Sequence, residues 1–243
     1  MQVIRKSKVK KIRLLIGLLL SVFTIGILVQ VIYNENVKKS DSIVKIDWND
    51  YELMYFDSLR YGFGEQGQPA VLHLPENIVK NDESFKIYGM SEFTSDLISV
   101  NRSVPDFRAA ECLKMKYFKN LPAVSIIIIF NNEAFSVFKR TLHSLYNRTP
   151  HKLIKEVILV NDNSTYDYLY DPLKIYVEEN FKNIKFQFIN LVERSGLMKA
   201  RVYGAQAATS EYLFVMEPHC ELTYNWLPPL IGKIITSHNQ LYE

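Results

Sequence analysis

Several sequence features that define common protein classes are rare or missing in this chain. Its 243 residues contain only two cysteines, Cys112 and Cys220, which excludes a disulfide-rich secreted scaffold. These two cysteines either pair with each other or each lack a partner within the chain. Between residues 121 and 243, neither G-x-G-x-x-G nor G-x-x-x-x-G-K-S/T occurs. The glycine-rich phosphate loops of dinucleotide-binding domains and P-loop NTPases are therefore not expected there.

The chain also lacks the excess of positive charge that nucleic-acid-binding domains carry. Its first six basic residues lie between Arg5 and Arg13, and the rest of the chain holds 23 basic and 26 acidic residues, a formal net charge of −3. A slightly acidic domain has no electrostatic footprint for a phosphate backbone. We therefore expect no nucleic-acid partner, and the basic tail, residues 1–13, indicates a membrane topology instead.

A long uncharged run follows the basic tail. Residues 14–33, LLIGLLLSVFTIGILVQVIY, would span roughly 30 Å as a helix, the thickness of the hydrocarbon core of a bilayer. The alternative is a cleaved signal peptide, whose apolar core is usually only about 7 to 15 residues and ends at a small-residue cleavage site. We predict a retained transmembrane signal anchor. Because the basic flank precedes it, the N-terminus is expected in the cytosol and the remaining chain in the lumen, a type II topology.

The segments between the anchor and residue 121 are polar or irregular. Residues 34–63 are charged with scattered aromatic side chains, which favours a stem. The glycines and proline of YGFGEQGQPA mark a loop, after which residues 64–120 form the N-terminal part of the lumenal domain. Three N-x-S/T triplets fit a lumenal domain and are candidate glycosylation sites: Asn101, Asn147 and Asn163.

From residue 121 onward the hydrophobic pattern alternates between strand and helix. Apolar, β-branched runs predict four buried strands near residues 124–130, 156–160, 185–191 and 211–216, with helices between them. The order βαβαβαβ implies a parallel sheet with right-handed crossovers. The predicted fold is therefore α/β, a Rossmann-like parallel sheet with flanking helices. Such sheets bind ligands beyond the carboxyl ends of their strands.

Polar residues follow each predicted strand, at the edge where a ligand would bind. Asp162 could accept a hydrogen bond from the uracil N–H of a nucleotide-sugar, and Arg194 could lie near its phosphates. Glu217 and His219 stand two residues apart, so in an extended segment they could bind one divalent ion together. The alternatives are an N-cap or turn role for Asp162, a surface ion pair of Arg194 with Glu193, and a polar turn for the Glu-Pro-His triplet.

Five segments in order resemble the polypeptide N-acetylgalactosaminyltransferases, which start mucin-type O-glycosylation in the Golgi. The resemblance runs from about Gly64 to His238 and is densest in SVNRSVPDFRAAEC, LPAVSIIIIFNNEAFSVFKRTLHSLYNRTP, EVILVNDNS, ERSGLMKARVYGA and EPHCELTYNWLPPL. It implies a GT-A-type fold for residues 121–243 and transfer of N-acetylgalactosamine from UDP to serine or threonine of a polypeptide acceptor. It also implies a Golgi membrane protein with a short cytosolic tail, one anchor and a stem.

The resemblance implies site roles residue by residue. The family binds Mn2+ through an Asp-x-His motif and a distant histidine, and the first two ligand positions fall on Glu217 and His219. The uracil-side acid of the family, the second of an Asp-Asp pair, falls on Asp162. The arginine that precedes the family's Gly-Leu segment falls on Arg194.

This sequence departs from the family's pattern at several of these positions. Glutamate replaces the metal-binding aspartate at 217, Pro218 replaces a small residue, Asn161 replaces the first acid of the Asp-Asp pair, and Asn131 replaces a histidine. The family's second catalytic half, with its third metal ligand and acceptor groove, and its lectin domain have no counterpart before Glu243. We therefore expect a membrane-anchored glycosyltransferase relative that transfers no sugar on its own. The alternative is a non-catalytic protein that binds or regulates active relatives.

The resemblance also bears on the two cysteines. Cys112 precedes the predicted sheet, whereas Cys220 follows the Glu-Pro-His triplet at its binding edge. In the family, the cysteine that corresponds to Cys112 pairs with one further along than this chain's last residue. We therefore expect no disulfide between Cys112 and Cys220.

Overall fold

The computed structural model describes residues 44–240, together with Ile27 and Gln30. Apart from those two residues, the predicted cytosolic tail (1–13), the anchor (14–33) and the first part of the stem (34–43) lie outside the described residues. Within the described part, no helix is long and apolar enough to cross a membrane. The described residues divide into two compact units, a small one of 44–46 with 118–120 and a large one of 47–117 with 121–240.

The strands within residues 44–240 form two sheets. Two short strands make the first sheet: β1 Lys45–Ile46 and β2 Tyr117–Phe118. Four strands make the main sheet: β3 Val124–Phe130, β4 Ile154–Asn161, β5 Phe186–Asn190 and β6 Leu213–Met216. The order in the main sheet is β5-β4-β3-β6, and all neighbouring pairs are parallel. The predicted four-stranded parallel sheet is therefore confirmed.

Helices connect the strands of the main sheet in the predicted alternation. The α-helices within residues 44–240 are α1 Tyr51–Ser58, α2 Pro75–Tyr88, α3 Glu92–Leu97, α4 Ala110–Leu113, α5 Phe135–Arg148, α6 Asp171–Asn180, α7 Leu197–Ala207 and α8 Leu227–Gln240. Short 3-10 helices occupy Glu65–Gly67, His151–Leu153 and Asp167–Leu169. Helices α5, α6 and α7 lie between successive strands in the chain, which gives the parallel sheet its crossovers.

Strand β3 is buried along its whole length because it has a strand on each side and side chains packed on both faces. On one face, Ile126 and Ile128 belong to the larger core cluster, together with Phe138 of α5 and Leu227 of α8. On the other face, Ile127 belongs to a smaller cluster that also contains Ala200 of α7. This burial on both faces explains why the strand has an uninterrupted apolar sequence.

Helix α7 approaches the sheet closely at one glycine. A methyl group on Gly204 would lie 2.4 Å from Cγ2 of Ile127 and 3.2 Å from Cγ2 of Val160. Carbon atoms in favourable contact are about 3.5–4.0 Å apart, so the helix or the strands would have to move. Gly204 therefore sets how near α7 lies to β3 and β4.

We predict that Gly204→Ala lowers the free energy of unfolding by about 1–3 kcal/mol, the usual cost of overpacking a core. Gly232→Ala in α8 is the matched control, because its added methyl would meet only Cδ1 of Tyr117, at 3.7 Å. The control should leave stability unchanged or raise it by up to about 1 kcal/mol, since alanine is the better helix former. Urea denaturation measures both variants, and equal stabilities would contradict the close approach.

A buried carboxylate connects the strands of the main sheet near their amino ends. Glu156 of β4 has 0 % exposure, and its Oε1 accepts from the hydroxyl of Ser125 at 2.9 Å and from the N–H of Thr209 at 2.7 Å. Its Oε2 accepts from the Lys185 ammonium at 2.8 Å. Burial alone would raise the pKa of Glu156, but the hydrogen bonds from Lys185, Thr209 and Ser125 outweigh burial and lower the pKa to about 2.

The lowered pKa of Glu156 makes stability depend on pH. The ordinary pKa is 4.5, so the stabilisation by the ionised group is complete above about pH 4.5 and is lost as the pH falls toward about 2. We predict that Glu156→Gln is less stable than the parent at neutral pH and that this difference shrinks between pH 4.5 and 2. Urea denaturation over this pH range tests it, with exposed Glu178→Gln in α6 as the control. A difference that does not change with pH would contradict the assignment.

The structure ends the predicted stem (34–63) earlier than expected, because residues 47–63 belong to the large compact unit. Asp57 of α1 is only 4 % exposed. Its Oδ2 accepts from the guanidinium of Arg148 at 3.2 Å and from the hydroxyl of Tyr224 at 2.8 Å. A buried charged group with such partners anchors α1 to the rest of this unit.

Candidate functional site

A cleft lies beyond the carboxyl ends of β3, β4 and β6, with a volume of about 250 Å³. Its lining comes from the end of β3, from the residues after β3, β4 and β6, and from the segment that leads into α7: Ile129, Phe130, Asn131, Glu133, Asp162, Arg194, Gly196, Leu197, Glu217, Pro218 and His219. The parallel register explains this gathering, because β3 pairs with both β4 and β6 near their carboxyl ends. The structure thus brings together all four residues that the sequence placed at this edge.

Asp162 is 4 % exposed, and backbone donors hold its carboxylate in place. Its Oδ1 accepts from the N–H of Ser195 at 2.7 Å, and its Oδ2 accepts from the N–H of Gly196 at 2.9 Å. Gly196 has a φ of +81°, a conformation that glycine adopts readily and that other residues rarely adopt. Each carboxylate oxygen keeps a second acceptor site, so a ligand donor can still bind. Asp162 is therefore not the N-cap of a helix, and its two bonds fix the residues that lead into α7.

Two asparagines join the loop after β3 to the loop after β4. The Asn131 side-chain amide donates to the carbonyl of Asp162 at 2.8 Å and to that of Asn163 at 3.2 Å. Asn132 has a φ of +53°, and its Oδ1 accepts from the N–H of Thr165 at 2.6 Å. These bonds fix the backbone that carries Asp162. Asn131, at the position of the family's histidine, therefore acts here as a link between the two loops.

Arg194 lies in the segment between β5 and α7 and lines the same cleft. Its side chain is exposed, and no ion pair or hydrogen bond to another described residue involves it. The ion pair with Glu193 that the sequence also allowed is not formed. The Arg194 guanidinium is therefore available to an anionic group in the cleft.

Glu217 and His219 are both engaged with other side chains. Glu217 Oε1 accepts from the Arg201 guanidinium at 3.1 Å. His219 Nδ1 lies 3.2 Å from Oε2 of Glu133. The two candidate metal ligands therefore each have a partner on a different element of the fold.

The donor set does not fit a Mn2+ ion as the side chains stand. Among residues 44–240, no group of three or more His, Cys, Asp or Glu side chains is arranged to hold a metal ion. The hydroxyl of Thr141 in α5 donates to the carbonyl of Pro218 at 2.7 Å, which fixes the backbone between the two candidate ligands. Any change toward a metal site would therefore have to come from the side chains of Glu217 and His219 and from their partners.

Sequence reasoning missed the partners of these two residues. Glu133 follows β3 at the binding edge, so its meeting with His219 could be inferred from the parallel sheet alone. Arg201 lies in the middle of α7, and only the way that this helix crosses the sheet brings it to Glu217. Likewise, the N–H groups of Ser195 and Gly196 carry no side-chain signal in the sequence.

A larger cavity of about 590 Å³ lies elsewhere in the large unit. It is lined by residues 47–53, by residues 147–150, and by Lys152, Tyr224 and Asn225. The Lys152 ammonium lies 4.2 Å from the centre of the Trp48 ring in this cavity. None of the four residues that the sequence placed at the binding edge lines it. The smaller cleft is the better candidate because it lies beyond the carboxyl ends of parallel strands, where sheets of this kind bind ligands.

The cysteines and the asparagines of the glycosylation triplets do not line the cleft. Cys112 and Cys220 are both free, as expected for residues that do not pair with each other. Asn101 and Asn163 are exposed, and the side-chain amide of Asn147 donates to Oδ1 of Asn101 at 2.7 Å. Glycosylation at any of the three asparagines stays a prediction.

Comparisons with known proteins agree with this architecture. Residues 125–241 match the sequence model of the family described as Glycosyl transferase family 2. A crystal structure of GalNAc-T7 with UDP, GalNAc and Mn2+ has a TM-score of 0.66 and 37 % sequence identity to this chain, over 70 % of this chain and 31 % of that chain. The chain therefore has a GT-A-like α/β fold and falls in the class of glycosyltransferase-family proteins.

Two curated relatives narrow the class. N-acetylgalactosaminyltransferase 6 of Drosophila melanogaster is 45 % identical over 195 residues, which is 80 % of this chain and 29 % of the relative. Polypeptide N-acetylgalactosaminyltransferase 10 of Homo sapiens is 39 % identical over 77 % of this chain and 30 % of the relative. The chain belongs to the polypeptide N-acetylgalactosaminyltransferase family, and it spans about 30 % of the length of these relatives.

Proposed function

We propose that the cleft binds the nucleotide part of a nucleotide-sugar, UDP-N-acetylgalactosamine. Asp162 accepts from the uracil N–H, and Arg194 lies at the diphosphate. The observation that carries this proposal is a fixed carboxylate and an unpaired arginine in one cleft at the carboxyl edge of a parallel sheet. The similarity to a transferase that was crystallised with UDP and GalNAc supports the choice of ligand.

The chemistry of Asp162 favours uracil over cytosine. Uracil presents an N–H between two carbonyl groups, and a carboxylate accepts from such a donor in a charge-assisted hydrogen bond. Cytosine presents a lone pair at the same ring position, which a carboxylate would repel. Because Ser195 and Gly196 already fix the Asp162 carboxylate, little ordering is needed when the base binds.

We further propose that Mn2+, which the family uses, binds weakly to Glu217 and His219 in this chain. A bound divalent ion would neutralise charge on the diphosphate. With Glu217 Oε1 on Arg201, that contribution is weakened, whereas the contact of His219 with Glu133 uses Nδ1 and leaves Nε2 for a ligand. The developing charge on a departing UDP would then depend mainly on Arg194, so we propose that this chain alone transfers no sugar.

We also propose that the protein is a Golgi membrane protein of type II topology, anchored by residues 14–33. The sequence pattern of a basic flank followed by an uncharged run supports it.

A second candidate function is that of a non-catalytic protein that binds or regulates active glycosyltransferases. The ion pair of the candidate metal ligand Glu217 with Arg201 favours this second reading over an active transferase.

We predict that the chain binds UDP and that Arg194→Ala weakens binding roughly tenfold, since a hydrogen bond to a charged group contributes about 1.5–3 kcal/mol. Isothermal titration calorimetry with UDP and with CDP measures this, and CDP should bind more weakly. Lys174→Ala in α6 is the control, because it removes an exposed cation that does not line the cleft. Equal affinities of Arg194→Ala and Lys174→Ala for UDP would contradict the proposed site.

We also predict no transfer of N-acetylgalactosamine by this chain alone, because the leaving diphosphate is poorly stabilised. The assay combines radiolabelled UDP-N-acetylgalactosamine, a mixed serine and threonine peptide library and Mn2+, with protein from cells that lack active relatives. His219→Ala serves as the background. Transfer above that background would show that the transferase is active and would remove the support for the non-catalytic alternative.

A further inference from the structure

The pairing of Glu217 with Arg201 connects the candidate metal ligand to helix α7. The Arg201 guanidinium lies 3.1 Å from Oε1 of Glu217, and the two side chains are 39 % and 43 % exposed. The Nε of Arg201 is buried and has no hydrogen-bond partner. Among the residues that the structure describes, Glu217 is therefore the one acceptor that the Arg201 side chain contacts.

Arg201 stands on the cleft side of α7. It follows Leu197 by four residues, so the two side chains share one face of the helix, and Leu197 lines the cleft. Ala200 and Gly204 of the same helix pack against or closely approach the sheet, which fixes where α7 lies. The position of Arg201 therefore follows from where α7 crosses the sheet, and Glu217 comes directly after the end of β6 at Met216.

The length of the glutamate side chain matters for this contact. An aspartate at position 217 would end one carbon–carbon bond earlier, about 1.5 Å. Its carboxylate could keep a 3.1 Å contact with Arg201 only if the Arg201 side chain, the helix or the strand moved. The glutamate at position 217 therefore reaches Arg201 with the side chains as they stand, which an aspartate would not do without such a movement.

We propose that Arg201 competes with a divalent cation for the Glu217 carboxylate, so that metal binds to this cleft only by breaking the Arg201–Glu217 ion pair. A cation on Glu217 would also leave the guanidinium unpaired while its Nε is already without a partner. The inference rests on the proposed function in one respect: this cleft is the nucleotide site, where a divalent ion would neutralise charge on the diphosphate. The competition itself needs no nucleotide.

The test is a titration of the full 243-residue chain, purified in detergent, with Mn2+ alone, in which the electron paramagnetic resonance signal of free Mn2+ reports binding. Arg201→Met should tighten Mn2+ binding by roughly two- to fivefold, the range expected from a half-exposed ion pair. Removing any nearby positive charge also raises the affinity for cations in general, so a control for this effect is needed. Lys199→Met is the matched control, because Lys199 is an exposed cation of the same helix without a partner among the described residues, and it should change Mn2+ affinity much less.

A double-variant comparison separates competition from any other effect of Arg201. In a Glu217→Gln background, Arg201→Met should leave Mn2+ affinity unchanged, because the contested carboxylate is gone. Arg201→Gln provides a second substitution if Arg201→Met lowers the unfolding temperature. Equal changes in Arg201→Met and Lys199→Met, or the same change in both backgrounds, would overturn the proposal.

The same proteins distinguish failure of this inference from failure of the proposed function. UDP calorimetry without metal tests the nucleotide site. If UDP does not bind but Arg201→Met still tightens Mn2+ binding, the nucleotide proposal fails and the competition stands. If UDP binds and the Arg201 variants behave like the Lys199 control, the competition fails and the nucleotide site stands.

Discussion

The candidate site depends on one constraint, the parallel pairing of β3 with β4 on one side and with β6 on the other. Phe130 pairs with Asn161, and Ile128 pairs with Met216, so all three strands end at the same edge. The next residues of each strand are Asn131, Asp162 and Glu217. Side chains that are far apart in the sequence meet there because the strands run in the same direction and end within two residues of one another.

Two buried carboxylates, Glu156 in β4 and Asp162 directly after it, stabilise opposite ends of the main sheet. Both do so by accepting several hydrogen bonds. Glu156 gathers donors from Ser125, Thr209 and Lys185 near the amino ends of the strands. Asp162 accepts two backbone N–H groups at the carboxyl end. A buried carboxylate is tolerated only with such partners, because burial without them disfavours the charged form.

The sequence predicted the sheet well because buried parallel strands have a continuous apolar signature that few other structures share. It also placed Asp162, Arg194, Glu217 and His219 at one edge, since that follows from strand direction alone. The end of the stem could not be predicted in this way. Asp57 looks like a solvated residue until Arg148 and Tyr224, 91 and 167 positions later, are seen to bind its carboxylate. Arg201 was missed because its meeting with Glu217 depends on a helix crossing, for which the sequence carries no local signal.

The base side and the phosphate side of the cleft differ in how much their side chains must rearrange to bind a nucleotide. On the base side, Asp162 is fixed by two N–H donors, and Asn131 ties its backbone to the loop after β3, so recognition requires little rearrangement. On the phosphate side, Arg194 is unpaired and the contact of His219 with Glu133 leaves its Nε2 for a ligand, but Glu217 is held in an ion pair with Arg201. Binding of the base would therefore use a carboxylate that is already fixed, whereas binding of a metal on Glu217 with the diphosphate would first have to displace Arg201. Such a site retains specificity for the nucleotide more readily than it retains the charge stabilisation that sugar transfer requires.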